Sequence, residues 1–229
     1  MIRQEERHAG LDRRLGTYVV LDPGLAAGRS LLEVARAAIA GGAGTLQLRA
    51  KDWDGRDLVE AGRQLRRLTA ESGALFIVND RVDVALAVEA DGVHVGERDI
   101  PVADARRILG PTAVIGFSPE TVDSARRAVA DGADYLGVGP VFATTSKPDA
   151  GAPIGLDGLR AVVEAVSVPV VAIGGIHAGN AASALRAGAC GVAVISAVLQ
   201  AADPRSATAE LARVVRAVLA GGGADGGEE

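Results

Sequence analysis

The chain has 229 residues, a formal net charge of −5, 48% hydrophobic residues and only 3% aromatic residues. The length suits one α/β barrel better than two small domains. The negative charge and the scarcity of aromatic side chains argue against a nucleic-acid partner or an anionic membrane partner, and the single cysteine, Cys190, excludes an internal disulfide.

The N-terminal segment is charged. Residues 1–15 are rich in Arg and Glu and lack the apolar stretch of a signal peptide. A run of about eighteen apolar residues, which a membrane-spanning helix needs, is missing from the sequence. We therefore predict a flexible N-terminus over residues 1–15, no membrane partner and a cytoplasmic location.

Short β-branched runs then alternate with Ala-, Leu- and Arg-rich stretches of helical spacing. The runs predict strands at residues 17–21, 45–48, 75–78, 92–95, 114–117, 135–138, 170–173 and 191–195. The stretches between them predict helices, for example at residues 31–40, 58–71, 121–130, 156–166 and 180–187. Strict alternation indicates parallel strands with crossover helices. Eight units predict a single (β/α)₈ TIM barrel over residues 16–220, followed by a disordered Gly-rich acidic tail at residues 221–229.

A doubly wound open sheet is the alternative fold. The junctions before strands 2, 4, 6 and 8 share one Gly- or Ala-containing design, at residues 42–46, 89–93, 132–136 and 188–192. An open sheet has no need of this even spacing, so the repeat favours the barrel.

Polar residues collect at the carboxyl ends of the predicted strands, where barrel enzymes carry their active sites. Gln47, Arg49 and Lys51 alternate with apolar residues, so their side chains point the same way and can converge on one ligand. Asp80 and Asp99 follow strands 3 and 4, and paired carboxylates are what Mg²⁺ commonly takes. The alternatives are that Arg49 and Lys51 are ordinary surface cations and that Asp80 caps the following helix.

A second anion site is predicted on the same barrel mouth. Gly174 and Gly175 follow strand 7 and Ser196 follows strand 8, and in this fold those two loops often bind phosphate. The longest connection, residues 139–155, follows strand 6 and carries Thr144, Thr145, Ser146 and Lys147. We interpret His94, which lies inside a strand, as structural.

Together these segments closely resemble the thiamine-phosphate synthase (thiamine-phosphate pyrophosphorylase) family. The similarity covers residues 18–199, and the segments that carry it are residues 47–52, 78–83, 91–96, 115–118, 134–142 and 172–176. The resemblance implies a transferase that joins a pyrimidine pyrophosphate to a thiazole phosphate with Mg²⁺. Both partners are small phosphorylated molecules, and the oligomeric state, including a homo-oligomer, is left open.

The resemblance also implies a role for each matching position. Residues of the pyrimidine pyrophosphate site would be Gln47, Leu48, Arg49, Ala50, Lys51, Asn79, Ser118 and Lys147, with Arg49, Lys51, Ser118 and Lys147 acting in catalysis. The metal ligands would be Asp80 and Asp99. Residues of the thiazole phosphate site would be Thr144, Thr145, Ser146, Gly175, Ile195 and Ser196.

Three positions depart from the family pattern. Ala50 stands where Glu is usual, Glu97 where Gln is usual, and Ser146 where Thr is common. Glu97 adds negative charge beside the predicted metal site, whereas Ser146 keeps the hydroxyl group.

Two other functions stay open. One is a thiazole tautomerase-like isomerase of the same superfamily, which uses a His near the end of strand 6, where this chain has Gly139, Pro140 and Val141. The other is a barrel that binds a phosphorylated ligand without catalysis.

Overall fold

Eight parallel strands close into a barrel in a computed structural model, which describes residues 10–146 and 151–221. The strands follow one another around the barrel in chain order, and β1 completes the ring by pairing with β8. Their bounds are β1 Thr17–Leu21, β2 Thr45–Leu48, β3 Leu75–Asn79, β4 Gly92–Gly96, β5 Val114–Ser118, β6 Tyr135–Val138, β7 Val170–Ile173 and β8 Gly191–Val194. The structure thus confirms the (β/α)₈ barrel and excludes the open sheet.

The helices form the outer layer. Those that the structure describes are α1 Leu11–Leu15, α2 Leu31–Ala40, α3 Gly55–Ser72, α4 Val82–Ala87, α5 Val102–Leu109, α6 Val122–Ala130, α7 Gly155–Ala165, α8 Ala181–Arg186, α9 Ser196–Leu199 and α10 Pro204–Gly221. Short polar side chains begin several of them. Asp54, for example, accepts hydrogen bonds from the backbone N–H groups of Arg56 and Asp57 at the start of α3.

Every residue of β1, β2, β6 and β8 is buried, as expected for parallel strands covered on both faces. The core is built mainly from Val, Leu, Ile and Ala, and Phe76 and Tyr135 are its largest fully buried side chains. Small aliphatic residues let the helices pack closely on the barrel, so the low aromatic content of the sequence fits this fold.

The N-terminal end of the barrel differs from the prediction for residues 1–15. Helix α1 lies there with Leu11 and Leu15 buried, and the carbonyl oxygen of Arg14 accepts a hydrogen bond of 2.9 Å from Thr45 Oγ1. Two apolar residues four positions apart give the segment one buried face, which its charged residues obscure in the sequence. The predicted flexibility of residues 1–9 lies outside the described residues.

The C-terminal helix α10 packs against α2 and α8 and completes the outer layer. It ends at Gly221, and the rest of the predicted tail, residues 222–229, lies outside the described residues. None of the helices in the described part of the chain is long and apolar enough to span a lipid bilayer.

Candidate active site

A cavity of about 1010 Å³ opens at the carboxyl ends of the strands. It brings together twelve of the predicted site residues in its wall, namely Arg49, Lys51, Asn79, Asp80, Asp99, Ser118, Thr144, Thr145, Ser146, Gly175, Ile195 and Ser196. They come from the ends of seven strands, which meet at one mouth because the strands are parallel and the barrel is closed.

The first half of the mouth, at β2 to β5, carries the cations. Arg49 is 7% exposed, and its guanidinium forms a salt bridge with Asp22, the residue after β1. Asp22 in turn accepts a hydrogen bond of 3.0 Å from the backbone N–H of Gly24. The salt bridge with Asp22 fixes the orientation of the Arg49 side chain. The role of Asp22 is not evident from the sequence, because Asp22 precedes Arg49 by 27 residues and lies in a different loop.

Asp80 and Asp99 face each other beside these cations. Asp99 Oδ2 accepts a hydrogen bond of 2.8 Å from the N–H of Gly96, and Lys51 Nζ lies 4.0 Å from Asp80 Oδ2. Burial, followed by the charge and hydrogen bonding of Asp99, raises the pKa of Asp80 to about 6, although Lys51 and Arg49 oppose the shift. The ionised Asp99 disfavours ionisation of Asp80, and a cation bound between the two carboxylates would relieve this repulsion.

The donor set fits Mg²⁺. Across residues 10–146 and 151–221, no group of three or more His, Cys, Asp and Glu side chains could hold a metal. Two carboxylates are a typical protein contribution to Mg²⁺, whose remaining ligands are water and phosphate oxygens. Glu97, one of the departures from the family pattern, also lines the cavity, and its Oε1 accepts a 3.3 Å hydrogen bond from the N–H of Glu120.

The second half of the mouth, at β6 to β8, carries hydroxyl groups and glycines. Ser146 Oγ donates a hydrogen bond of 2.9 Å to Ser196 Oγ, so the loop after β6 contacts the start of α9. Thr144 Oγ1 accepts a bond of 3.2 Å from the N–H of Ser146. Among the described residues, these neutral hydroxyl groups are suited to hydrogen bonding with a monophosphate.

Gly174 and Gly175 have a packing requirement of their own. Their φ angles are 96° and 65°, and a Cβ on Gly175 would lie 2.4 Å from the carbonyl oxygen of Ala143 and 2.8 Å from the Cβ of Phe142. The glycines therefore permit the close approach of the loop after β6. Substitution at Gly175 would displace that loop as well as affect any bound phosphate.

Three of the predicted pyrimidine-site residues do not reach the cavity wall. Leu48 and Ala50 are buried in the hydrophobic core, and Gln47 is 4% exposed with its Nε2 donating a 2.8 Å hydrogen bond to Tyr18 Oη. The alternation of residues 47–51 correctly pairs Arg49 with Lys51, but Gln47 lies deeper, inside the barrel. Lys147 lies outside the described residues, so its assignment stays a prediction from the sequence.

His94 of β4 also lines the cavity, and its side chain lies next to that of Ser118 on the neighbouring strand β5. Its Nε2 lies 2.8 Å from Ser118 Oγ and its Nδ1 lies 2.9 Å from Tyr135 Oη. The sequence indicates a structural role for His94, and its hydrogen bonds also place it beside Ser118, a predicted catalytic residue.

The chain is similar to known proteins over nearly all of the barrel. The sequence model of a family described as thiamine monophosphate synthase matches residues 17–198. Thiamine-phosphate synthases of Moorella thermoacetica and Chloroflexus aurantiacus are each 57% identical over 198 residues, which is 86% of this chain and 94% and 91% of theirs. A structure of thiamine phosphate pyrophosphorylase from Pyrococcus furiosus superimposes with a TM-score of 0.85 at 48% identity, covering 91% of this chain and 99% of that one.

Proposed function

The chain belongs to the thiamine monophosphate synthase family, a family of transferases, and on this premise we propose its reaction in detail. The substrates are 4-amino-2-methyl-5-hydroxymethylpyrimidine pyrophosphate and a thiazole phosphate, and the products are thiamine phosphate and pyrophosphate. The observation that carries the proposal is the division of one cavity into a half with cations and paired carboxylates and a half with hydroxyls and glycines. Two different anions can therefore bind side by side.

Arg49 and Lys51 bind the pyrophosphate group. The salt bridge with Asp22 holds Arg49 in place before the ligand arrives, so little side-chain entropy is lost on binding. Lys51 has a half-exposed side chain, and its Nζ lies 4.0 Å from Asp80 Oδ2. Its ammonium group can therefore turn from the carboxylate to a phosphate oxygen when the substrate binds.

Asp80 and Asp99 would hold Mg²⁺. When bound, Mg²⁺ supplies positive charge that stabilises the pyrophosphate oxygens. The protein contributes the two carboxylates, and the N–H of Gly96 holds Asp99 in position.

In the bond-breaking step, the bond between the pyrimidine methylene carbon and the pyrophosphate oxygen breaks, and its electron pair leaves with pyrophosphate. Arg49 and Lys51 stabilise the charge that develops on that oxygen. The electron-rich aminopyrimidine stabilises the resulting carbocation. The lone pair of the thiazole nitrogen then forms the new carbon–nitrogen bond. A ring nitrogen has no proton to lose, so the reaction needs positioned cations and no general base.

The thiazole tautomerase-like function needs only the second half of the cavity. Arg49, Lys51, Asp80 and Asp99 in the same cavity wall favour the synthase, because an isomerase of the thiazole phosphate would leave four charged side chains without a role.

The direct test is to mix both substrates with Mg²⁺ and to measure thiamine phosphate and pyrophosphate by chromatography. We expect both products in equal amounts and expect Asp99→Asn to lose Mg²⁺-dependent turnover. Asp104→Asn, which changes an exposed carboxylate on the following helix, is the matched control and should behave like the parent.

Two outcomes would overturn the proposal. Interconversion of thiazole isomers without the pyrimidine substrate would indicate the tautomerase-like function. Binding of one ligand without Mg²⁺, with no product, would indicate a barrel that only binds a phosphorylated ligand.

A further inference from the structure

A row of hydrogen-bonded side chains runs through the barrel interior and ends at the cavity. Gln47 Nε2 donates to Tyr18 Oη at 2.8 Å, and Tyr18 Oη lies 2.9 Å from Tyr135 Oη. Tyr135 Oη lies 2.9 Å from His94 Nδ1, and His94 Nε2 lies 2.8 Å from Ser118 Oγ. Five side chains from five strands thus form one relay, of which Ser118 and His94 line the cavity.

Two strand glycines make room for this relay. A Cβ on Gly116 of β5 would lie 2.4 Å from His94 Nδ1 and 2.2 Å from Cζ of Tyr135. A Cβ on Gly137 of β6 would lie 2.9 Å from His94 Cε1. Glycine weakens a strand, so two of them around one histidine indicate that the space is needed for the side chains that fill it.

The amide group of Gln47 sets which atom donates and which accepts in each hydrogen bond of the relay. The amide nitrogen of Gln47 can only donate, so the Tyr18 oxygen accepts there and its single hydroxyl hydrogen is available to Tyr135. The hydrogen of Tyr135 then goes to His94 Nδ1. His94 therefore carries its hydrogen on Nε2 and donates it to Ser118 Oγ.

The opposite direction is unfavourable. Tyr18 would then accept from both Gln47 and Tyr135, and its own hydroxyl hydrogen would have no acceptor within the relay. Tyr18 is 2% exposed and Tyr135 is fully buried, and a buried donor without a partner is costly. Burial also raises the pKa of both tyrosines, which keeps both as hydroxyl groups.

We propose that this relay holds the Ser118 hydroxyl as a hydrogen-bond donor to an acceptor atom of the pyrimidine pyrophosphate, with His94 and Tyr135 as positioning residues. Because Ser118 Oγ accepts from His94 Nε2, its own hydrogen is free to point into the cavity. In the opposite direction Ser118 would donate to His94 and present only lone pairs, which would repel a pyrimidine ring nitrogen or a phosphate oxygen. The identity of the ligand rests on the proposed function, whereas the direction of the relay does not.

The first test uses the free protein and needs no substrate. Nitrogen-15 NMR of protein labelled at its three histidines reports which ring nitrogen carries hydrogen, and His94→Gln identifies the His94 signals. We expect the Nε2–H tautomer for His94 in the parent and in Tyr18→Phe, because Tyr135 can still donate to Nδ1 in that variant. Tyr135→Phe should lose the preference. An Nδ1–H tautomer in the parent would overturn the proposal, because it would mean that Ser118 donates inward and that the Gln47 carbonyl faces Tyr18.

The second test measures the affinity for the pyrimidine pyrophosphate by calorimetry. Ser118→Ala and Tyr135→Phe should each weaken it by about 3- to 10-fold, the usual effect of one hydrogen bond. The double variant should bind no more weakly than Ser118→Ala, because Tyr135 acts through Ser118. Affinity for the thiazole phosphate serves as the internal control and should not change.

If the fold losses of affinity in the two single variants multiplied in the double variant, the positioning role of Tyr135 would be overturned. Failure of the proposed function would look different: the protein would form no thiamine phosphate from both substrates, while His94 would still show the Nε2–H tautomer.

Discussion

Asp80 combines an unusual backbone conformation with a raised pKa. Its φ of 59° lies in the left-handed region, and its N–H donates a 2.8 Å hydrogen bond to the carbonyl oxygen of His94. Asp and Asn tolerate this conformation better than other residues that have a side chain. The backbone thus turns sharply at the end of β3 and directs a carboxylate at Asp99, at a cost to the metal-free protein.

Asp80→Asn tests this cost. We expect Mg²⁺-dependent turnover to be lost and the metal-free protein to become more stable, because the amide keeps the backbone conformation and removes the repulsion with Asp99. The side chain is partly exposed and screened by water, so the gain should be about 1 kcal/mol, or roughly 2–4 °C in melting temperature. Thermal unfolding with and without Mg²⁺ measures both effects.

Asp83→Asn is the matched control, because Arg81 lowers the pKa of Asp83 instead of raising it. This substitution should slightly lower the melting temperature and leave turnover intact. A melting temperature of Asp80→Asn at or below that of the parent would contradict the prediction.

The raised pKa of Asp80 also predicts how stability depends on pH. The metal-free folded protein holds this proton up to a pH of about 6, against 3.8 for an unperturbed Asp, so it binds more protons than the unfolded chain between these values. The contribution of Asp80 to stability should therefore fall as pH rises from about 4 to about 6. Mg²⁺ favours the ionised carboxylate, so saturating Mg²⁺ should reverse the trend.

Urea denaturation between pH 4 and 7 measures this dependence, with Asp80→Asn as the reference that lacks the group. A parent and variant that show the same pH dependence without Mg²⁺ would rule out the shift.

At the scale of secondary-structure elements, Asp91 and Asp134 occupy equivalent positions in the helix-to-strand junctions before β4 and β6. Each lies just before a strand and accepts a 2.8 Å hydrogen bond from a backbone N–H of the preceding strand, Phe76 in one case and Ile115 in the other. Arginines pair with both carboxylates, but the Asp134 side chain is 1% exposed and that of Asp91 is 24% exposed. The more buried junction should contribute more to the stability of the barrel.

Asp134→Ala should therefore destabilise the protein by about 3–5 kcal/mol, because it leaves Arg106 partly buried without its carboxylate. Asp91→Ala should cost about 1–2 kcal/mol, mainly for the unpaired N–H of Phe76. Chemical denaturation of the two variants compares the same change at two positions of one repeat. Equal losses would show that burial does not set the contribution of these pairs.

For the whole molecule, the packing of α1 and the charged side chains of the cavity lie at opposite ends of the barrel. Helix α1 covers the N-terminal end, where the N–H of Val192 donates a 3.0 Å hydrogen bond to the carbonyl oxygen of Gly16. The cavity with its charged side chains lies at the carboxyl end. A change at one end should leave the other unaltered below the melting temperature.

Leu15→Ala tests this separation. Leu15 is fully buried, so its truncation should cost about 2–5 kcal/mol of stability. The values of kcat and KM, measured well below the melting temperature, should stay within about twofold of the parent, since additivity holds for distant sites. Arg13→Ala, at an exposed position of the same helix, should change neither quantity. A fall in kcat of Leu15→Ala at low temperature would show that the two ends are coupled.

The sequence by itself determined the barrel, and most of the site residues that it predicts lie in the wall of the cavity. Predicted and observed bounds agree for β1, β2, β6 and β7, because a buried parallel strand is a short apolar run with turn residues at both ends. Arg49, Lys51, Asp80 and Asp99 could be assigned to one mouth, because parallel strands bring all of their carboxyl ends to the same side. These inferences need only local patterns and one rule of topology.

The tertiary structure alone decided which side chains meet inside the barrel. Tyr18 and Tyr135 are 117 residues apart in the chain. The need for glycine at Gly116 and Gly137 is visible only when β5 and β6 lie close to the side chain of His94. Asp22 reaches Arg49 from another loop, and Gln47 turns towards Tyr18 instead of the cavity. The physical reason is that barrel closure sets the depth and direction of each inward side chain. The periodicity of the sequence predicts neither the depth nor the direction.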